Sequence, residues 1–289
     1  MNPLFFTMRA LADPGPGYVV WQSDAPDFAG TDAPAPILSN TAVVVSAPFQ
    51  YGEPSGKLST SPTPVGLWLF NGDLNDSSGN DFHLTGTPRE YTTAAKDRIA
   101  GAVLEAAGWT RAYNANLKIA GALTIDVIGV FQNPGTSQFL VSYGKAGELL
   151  ADNELYAFYI TSDLALGLAW EHSAGTGVGV TTSAGVVPVG VPTHLTATRD
   201  ASGFVALYVD GVDVGTGTAT APTGGDSTSS FLTIGDRSEA PGSSYLTAPG
   251  TIFHCVKIQS AESTGTAVKQ GYNQALGGFA VGWRKVPGV

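Results

Sequence analysis

Carboxylate and amide side chains recur at short spacing in the stretch LWLFNGDLNDSSGN, residues 67–80. Asp73, Asn75 and Asp76 carry oxygen atoms of the kind that Ca²⁺ takes as ligands, about six to eight at a time. The same residues favour an Asx turn, in which the Asp76 carboxylate accepts backbone N–H groups near Ser78. We expect the turn, with a structural calcium ion as the alternative and no other cofactor.

An EF-hand loop is excluded in this stretch. The sixth position counted from Asp73 is Ser78, where an EF-hand has glycine, and the twelfth is Leu84, where it has glutamate. Any calcium bound here would therefore need a different ligand set.

A second group of residues has the composition of a sugar-binding surface. Carbohydrate sites combine aromatic faces with hydrogen-bonding side chains on exposed loops. The segment AAGWTRAYNAN supplies Trp109, Arg111, Tyr113 and Asn114 within six residues. The alternative is that Trp109 fills the core, as large aromatic residues usually do. Second choices for a sugar platform are Tyr143, Trp170 and Tyr245.

No catalytic residues are assigned. Glycoside hydrolysis needs two carboxylates facing each other across a cleft, but the acids on predicted strands, Glu154, Glu171 and Asp126, are isolated in the sequence. No Gly-x-Ser-x-Gly elbow accompanies the four histidines. The run GTGVGV lacks the spacing of a phosphate-binding loop and is expected to be a flexible loop.

Composition limits the partners. With 24 acidic and 14 basic residues the net charge is −10, so no basic surface is available for nucleic acid. The single cysteine, Cys255, excludes a disulfide within the chain and a cysteine-based zinc site. Neither a secretory signal nor a membrane-spanning segment is apparent, and we expect the chain to be an intact product.

Residues 1–64 and residues 65–289 differ in composition and in strand pattern. Residues 1–64 contain 10 of the 18 prolines, which interrupt every longer strand pattern. Such a segment rarely forms its own core, so we expect an extended arm that contacts a neighbouring subunit or the main domain. Residues 65–289 are expected to form that main domain.

The main domain reads as many short strands separated by turn residues, which indicates an all-β sandwich or jelly roll. The clearest hairpin is SGFVALYVDGVDVG, with Asp210-Gly211 predicted to form a type I′ turn. Near the end, Val268, Tyr272 and Leu276 recur every four residues before Gly277-Gly278. That spacing predicts one short amphipathic helix with a glycine cap.

In this order the segments resemble the concanavalin A-like, laminin-G-like jelly roll in its bacterial and phage form. The resemblance covers about residues 65–278. The family opens with a Trp strand followed by Asp-x-Ser-Gly-Asn, which resembles LWLFNGDLNDSSGN, and continues with a Gly-x-Ala strand, which resembles AGAVLEA. The later family strands and the closing helix resemble, in order, ALTIDVIGVF, THLTATRDASGFVALYVDG, FLTIGD, IFHCVKIQ and VKQGYNQAL. The resemblance implies an antiparallel two-sheet sandwich.

Three departures from that family bear on function. Val130 and the pair Pro192-Thr193 stand where the family often has tryptophan. His254 and Cys255 stand where it usually has Asp and Glu, so the carboxylate that completes a calcium site in many relatives is replaced.

From these features we expect a non-enzymatic structural or adhesion protein of a surface assembly. The most specific version is a phage virion component, such as a capsid decoration, head-fibre or tail-attachment protein, with an extracellular location as the alternative. Its expected partners are other virion or surface proteins, bound through the arm, and cell-surface glycans; we also expect a homo-oligomer. The alternatives are a glycan-degrading enzyme of the same fold and a soluble calcium-dependent lectin.

Overall fold

The computed structural model describes residues 63–92, 101–104, 108–133, 135–145, 154–173, 176–222, 229–238 and 250–269. The predicted arm, residues 1–64, lies outside these ranges except for its last two residues. Tyr245, Tyr272, Leu276 and Gly277-Gly278 also lie outside the described residues.

Fourteen strands in the described residues form two antiparallel sheets. The eight-stranded sheet has the order β12-β11-β10-β5-β14-β3-β2, with β1 also paired to β14. Its strands are β1 (Gly66–Trp68), β2 (Glu90–Thr92), β3 (Gly101–Val103), β5 (Leu123–Val130), β10 (Pro192–Arg199), β11 (Phe204–Val209), β12 (Val212–Thr218) and β14 (Ile252–Gln259).

The six-stranded sheet has the order β4-β13-β6-β7-β8-β9. Its strands are β4 (Trp109–Arg111), β6 (Gln138–Lys145), β7 (Tyr156–Ile160), β8 (Leu166–Ser173), β9 (Thr176–Thr181) and β13 (Ser230–Ile234). A single 3₁₀ turn, Ala115–Leu117, follows β4. These findings confirm the predicted all-β, two-sheet antiparallel sandwich.

The two sheets enclose one core because side chains alternate along each strand. In β5, Leu123, Ile125 and Val127 belong to the core, whereas Thr124 and Asp126 point to the opposite side. We call the side of each sheet that faces away from this shared core its outer face. The two outer faces carry the polar clusters described below.

Arg199 is a buried cation that joins separate segments in the core. Its guanidinium donates hydrogen bonds to the carbonyl oxygens of Ile119, Gly121 and Leu155, at 2.9 to 3.2 Å. It also stacks 4.8 Å from the ring centroid of Trp170. Burial lowers the pKa of Arg199 to about 10, so the group stays charged at neutral pH.

The predicted type I′ hairpin between β11 and β12 is confirmed. Both central residues adopt positive φ, 51° at Asp210 and 73° at Gly211. These angles match the right-handed twist of the two flanking strands.

The run GTGVGV does not form the loop that we expected. It overlaps the edge strand β9, which pairs with β8 along Gly167↔Thr181 to Ser173↔Thr176. This segment forms a strand because Gly177 and Gly179 alternate with two valines, and a period of two is the pattern of a strand.

Residues 265–269 are helical, in agreement with the helix predicted around Val268. Val268 is buried against Ala206 and Tyr208 of β11. Among the described residues, no helix is long and apolar enough to cross a membrane.

Candidate functional site

An aromatic ring lies flat on the outer face of the six-stranded sheet. In β7, Tyr156, Phe158 and Ile160 belong to the core, so the alternating residue Tyr159 faces outward. Its hydroxyl is 2.8 Å from the Thr181 hydroxyl on β9, two strands away. The side chain therefore extends across the intervening strand β8.

Gly167 is the residue over which this ring passes. A Cβ built on Gly167 would lie 2.4 Å from Cζ of Tyr159, closer than real contacts allow. On its other side, Tyr159 stacks on Phe139, with ring centroids 5.6 Å apart and an angle of 26°. We call Phe139, Tyr159, Gly167 and Thr181 the aromatic platform; its Tyr159 ring is partly exposed.

Two glutamates meet beside this platform. The Glu171 backbone N–H donates to the Glu154 carbonyl at 2.8 Å, and the Glu154 backbone N–H donates to Oε2 of Glu171 at 3.4 Å. The side chains of both residues are buried, as the residues are only 4% and 6% exposed. These two acids are isolated in the sequence, and the pairing of β7 with β8 brings them together.

The two glutamates belong to a larger polar group. Arg237 lies 3.3 Å from Oε2 of Glu154, and the Ser142 hydroxyl donates to Oε1 at 3.4 Å. Ser142 is in turn 2.6 Å from the hydroxyl of Ser238. We call Ser142, Glu154, Glu171, Arg237 and Ser238 the carboxylate cluster.

Burial and the neighbouring Glu171 charge raise the pKa of Glu154, and the positive charge of Arg237 only partly offsets them. Arg237 also connects the cluster to the platform, since its guanidinium lies 5.2 Å from the ring centroid of Phe139. On this outer face the partly exposed Tyr159 ring therefore lies near the half-buried Arg237, whereas the four other members of the carboxylate cluster are buried. The ring can stack on an apolar ring face, and the Arg237 guanidinium can donate hydrogen bonds to polar substituents beside it.

The structure corrects the predicted position of Trp109. This residue is fully buried and packs 5.1 Å from Phe70 and 5.6 Å from Phe253, measured between ring centroids. Its ring is unavailable to an external sugar because β4 points it into the core. Trp109 is therefore a core residue, as the alternative interpretation of the sequence proposed.

The other three predicted sugar-binding residues lie at the edge strand β4 or just after it. Arg111 is half-buried, with its guanidinium 5.9 Å from the Phe82 ring centroid. Tyr113 and Asn114 are also half-buried. Asn114 uses its side-chain oxygen to accept the Asn116 backbone N–H at 2.9 Å, which caps the 3₁₀ turn. A sugar contact by these three residues stays a prediction.

Two of the three second choices are buried as well. Tyr143 and Trp170 are fully buried, and Tyr143 stacks on Tyr156 at 5.5 Å. Tyr245 lies outside the described residues. Tyr143 and Trp170 therefore cannot contact an external ligand unless they move out of the core.

The predicted Asx turn at Asp76 is present. Oδ1 of Asp76 accepts the backbone N–H groups of Leu67 at 3.0 Å and Ser78 at 2.9 Å. Oδ2 accepts the Ser78 hydroxyl at 2.7 Å and the Phe82 backbone N–H at 3.0 Å. A carboxylate offers about four lone-pair sites, and these four donors occupy them. The bonds tie β1 to the turn that follows it.

Asp73 and Asn75 are exposed beside this turn, and Oδ1 of Asp73 accepts the Asn75 backbone N–H at 3.0 Å. His254, the residue expected near a family calcium site, is buried at a bulge in β14. Across the described ranges, no three His, Cys, Asp or Glu side chains come together in a metal-binding arrangement. The calcium site stays a prediction.

Two antiparallel sheets around one core, ordered as described, define a concanavalin A-like sandwich, the fold class of many lectins and glucanases. The chain belongs to the family Laminin_G_3 of the concanavalin A-like lectin/glucanases superfamily, which matches residues 109–268. The resemblance to laminin-G-like jelly rolls is thereby confirmed. A comparison with curated proteins finds no match.

Three solved structures illustrate the similarity of fold. One is the CBM40 domain of the Ruminococcus gnavus IT-sialidase bound to α2,3-sialyllactose, with 15% identity, a TM-score of 0.50, and coverage of 59% of this chain and 95% of that one.

The other two are from botulinum neurotoxins. One structure, of type C, addresses cell entry through two ganglioside molecules, with 11% identity, a TM-score of 0.53, and coverage of 75% of this chain and 53% of that one. The other is the type DC binding domain with rat synaptotagmin II, with 12% identity, a TM-score of 0.53, and coverage of 75% and 52%. The chain thus spans about half the length of these two toxin structures. At these identities the likeness is one of fold.

Proposed function

We propose that the chain is a non-enzymatic carbohydrate-binding module that holds a glycan on the outer face of its six-stranded sheet. The observation that carries the proposal is the Tyr159 ring, which lies flat over Gly167 and is partly exposed. The apolar face of a sugar ring stacks on such a surface, and a ring held by Thr181 and Phe139 loses little freedom on binding.

The neighbouring carboxylate cluster supports the same proposal. Sugar hydroxyls need hydrogen-bonding groups beside the stacking surface, and Arg237 lies against the platform through Phe139. The similar sandwiches named above bind sialyllactose, gangliosides or a protein receptor, which agrees with a binding role. A protein partner on the same face is an outcome that the experiments below distinguish.

For the biological setting, we propose a surface assembly, specifically a phage virion, with residues 1–64 contacting a neighbouring copy or another virion protein. The proline-rich composition of that segment supports an arm. We expect an oligomer by size-exclusion chromatography with light scattering, and a monomer after residues 1–64 are deleted. A compact full-length monomer would contradict the arm's role, and absence of the chain from purified particles would contradict the virion setting.

A glycan array followed by titration of the best ligand tests the binding proposal. Tyr159→Ala is expected to weaken binding by about five- to 150-fold because the stacking surface is removed; the analogous stacking of a nucleic-acid base on an aromatic side chain contributes about 1–3 kcal/mol. Phe204→Ala is the matched control, since Phe204 is a 37% exposed aromatic residue on the other sheet. No glycan binding by the wild-type chain, or equal losses in both variants, would overturn the proposal.

A second candidate function is glycan hydrolysis, which the Glu154–Glu171 pair favours. Glycosidases use two carboxyl groups of different acidity, and Glu154 has a raised pKa. Reducing-sugar release from a polysaccharide panel, abolished by Glu171→Gln, would establish this function. We expect no release, because Arg237 and Ser142 already engage the carboxylate of Glu154.

A further inference from the structure

A second polar group, distinct from the carboxylate cluster, lies on the outer face of the eight-stranded sheet. Asp126 on β5 is directly opposite Lys257 on β14 and Thr196 on β10. His194 is two residues before Thr196 on the same face of β10. We call Asp126, His194, Thr196 and Lys257 the Asp126 cluster.

A bulge in β14 puts Lys257 in this position. Strand alternation would give residues 253 and 255 the same side, but the register shifts between Phe253 and Cys255. Phe253 and Val256 therefore both belong to the core, three residues apart. Lys257 consequently faces outward, toward Asp126.

The contacts within the Asp126 cluster are close. Nζ of Lys257 lies 3.0 Å from Oδ2 of Asp126, while Nε2 of His194 lies 2.9 Å and the Thr196 hydroxyl 2.7 Å from Oδ1. The side chains of Lys257, Asp126 and His194 are only 7%, 5% and 0% exposed. An amine and a carboxyl group are thus held in contact with water largely excluded.

We propose that Lys257 and Asp126 react with each other to form an intramolecular isopeptide bond that joins β14 to β5. No redox partner or further reactant is needed, because the reaction is a condensation. A hydrogen-bond donor, His194, already contacts one of the two carboxyl oxygens.

The reaction balances from the ion pair. One proton moves from the Lys257 ammonium to the carboxylate, which leaves a free amine and a carboxylic acid. The amine lone pair attacks Cγ of Asp126 and forms the Nζ–Cγ bond. Breaking of the Cγ–Oδ1 bond releases Oδ1 as water, with one proton from the acid and one from Nζ. The ammonium and carboxylate thus become a neutral amide plus one water molecule.

His194 is placed to assist the departure of Oδ1. Its Nε2–H donates a hydrogen bond to Oδ1, the leaving oxygen, at 2.9 Å and stabilises the negative charge that develops there, while the second proton passes from Nζ to the carboxyl oxygens directly. Oδ2 then remains as the amide carbonyl oxygen.

Burial and the neighbouring groups act in opposite directions on the first proton transfer. Removal from water raises the free energy of the charged ion pair more than that of the neutral amine and acid. The two forms differ only in the position of one proton. Burial acts to raise the pKa of Asp126, but the hydrogen bond from His194 and the charge of Lys257 outweigh it and hold the pKa well below its ordinary value. The ion pair is therefore the resting state, and contact between the groups replaces a bimolecular encounter.

Intact-mass spectrometry of the denatured wild-type chain tests the proposal. The expected mass is lower than that of the sequence by one water molecule, and a tryptic digest is expected to contain a branched peptide joining the Asp126 and Lys257 segments. A full sequence mass in the wild-type chain would overturn the proposal and leave an ion pair only. This result needs no variant and is independent of glycan binding.

Lys257→Arg is the matched control, because it keeps a positive charge beside Asp126 but removes the nucleophilic amine. It is expected to show the full mass. A cyclic imide at Asp210-Gly211 would also remove one water, but it would persist in Lys257→Arg, so persistence would overturn the proposal. His194→Gln is expected to lower the reacted fraction; complete reaction in that variant would overturn the role given to His194.

Discussion

The outer faces of the two sheets both carry buried charges, but among the described residues a partly exposed aromatic ring adjoins such charges on the six-stranded sheet and not at the Asp126 cluster. On the six-stranded sheet, Glu154 and Arg237 adjoin the partly exposed ring of Tyr159. On the eight-stranded sheet, Asp126 and Lys257 have enclosed side chains and contact each other. In our proposal, the partly exposed Tyr159 ring marks the binding surface, and buried charge by itself does not.

The largest effect is expected from breaking the enclosed pair. Lys257→Met leaves Asp126 as a buried carboxylate that lacks both its cationic partner and the proposed amide bond, and we expect it to lower the free energy of unfolding by about 3–5 kcal/mol. Urea denaturation measures the change. The double variant Asp126→Leu/Lys257→Met removes both charges and is expected to recover part of the loss. Equal stability of Lys257→Met and the wild type would contradict the enclosed character of the cluster.

The next largest effect concerns the platform. Gly167→Ala places a Cβ 2.4 Å from Cζ of Tyr159, so the ring must tilt off the sheet. We expect about 1–3 kcal/mol of destabilisation in thermal or urea unfolding and at least a tenfold loss of glycan affinity. Gly177→Ala on β9 is the control, since its added Cβ would meet no atom within 4 Å. If Gly167→Ala bound glycan normally, a flat ring would not be required.

A smaller effect is expected from titration of the carboxylate cluster. Burial raises the pKa of Glu154 above its ordinary value of 4.5, so the folded state holds this proton more tightly than the unfolded state does. The free energy of unfolding should therefore fall as pH rises from about 4.5 through the folded-state pKa, by about 1.4 kcal/mol per unit of pKa difference.

Glu154→Gln cannot ionise and is expected to lose this part of the pH dependence, measured by urea denaturation across the acidic range. Glu262→Gln removes an exposed carboxylate and is expected to keep it. Identical pH profiles for Glu154→Gln and the wild type would show that Glu154 has no raised pKa.

The smallest effect is expected from chelation. Four donors occupy the Asp76 carboxylate, so the turn after β1 is held without a metal ion. We expect the melting temperature and the glycan signal to be the same in EDTA and in calcium. A fall in either upon chelation would support the calcium-dependent lectin instead.

Much of the fold follows from local sequence. Short runs rich in apolar residues and threonine predicted the strands β5, β10, β11 and β14, and Asp210-Gly211 predicted the hairpin turn through its tolerance of positive φ. β9 was missed because its glycines were interpreted as flexibility, although they alternate with valines.

The candidate site was harder to predict because it depends on the register between strands and on which side of each sheet a side chain points to. Trp109 lies on an edge strand, and its motif does not reveal which side of β4 faces the core. Glu154 and Glu171 are 17 positions apart, yet they lie nearly equidistant from Asp163 in the turn between β7 and β8. That symmetry predicts a cross-strand pair once the hairpin is recognised. Contacts between distant segments, such as Arg237 with Glu154, leave no comparable local signal.

The most direct test of this account is the location of a bound glycan, measured by NMR on the isotopically labelled chain. Binding is expected to shift the backbone amide signals of Gly167, Thr181 and Tyr159, and to leave those of Thr196 and Lys257 unchanged. Shifts confined to Arg111, Tyr113 and Asn114, or to the eight-stranded sheet, would contradict the assignment of the aromatic platform as the binding surface.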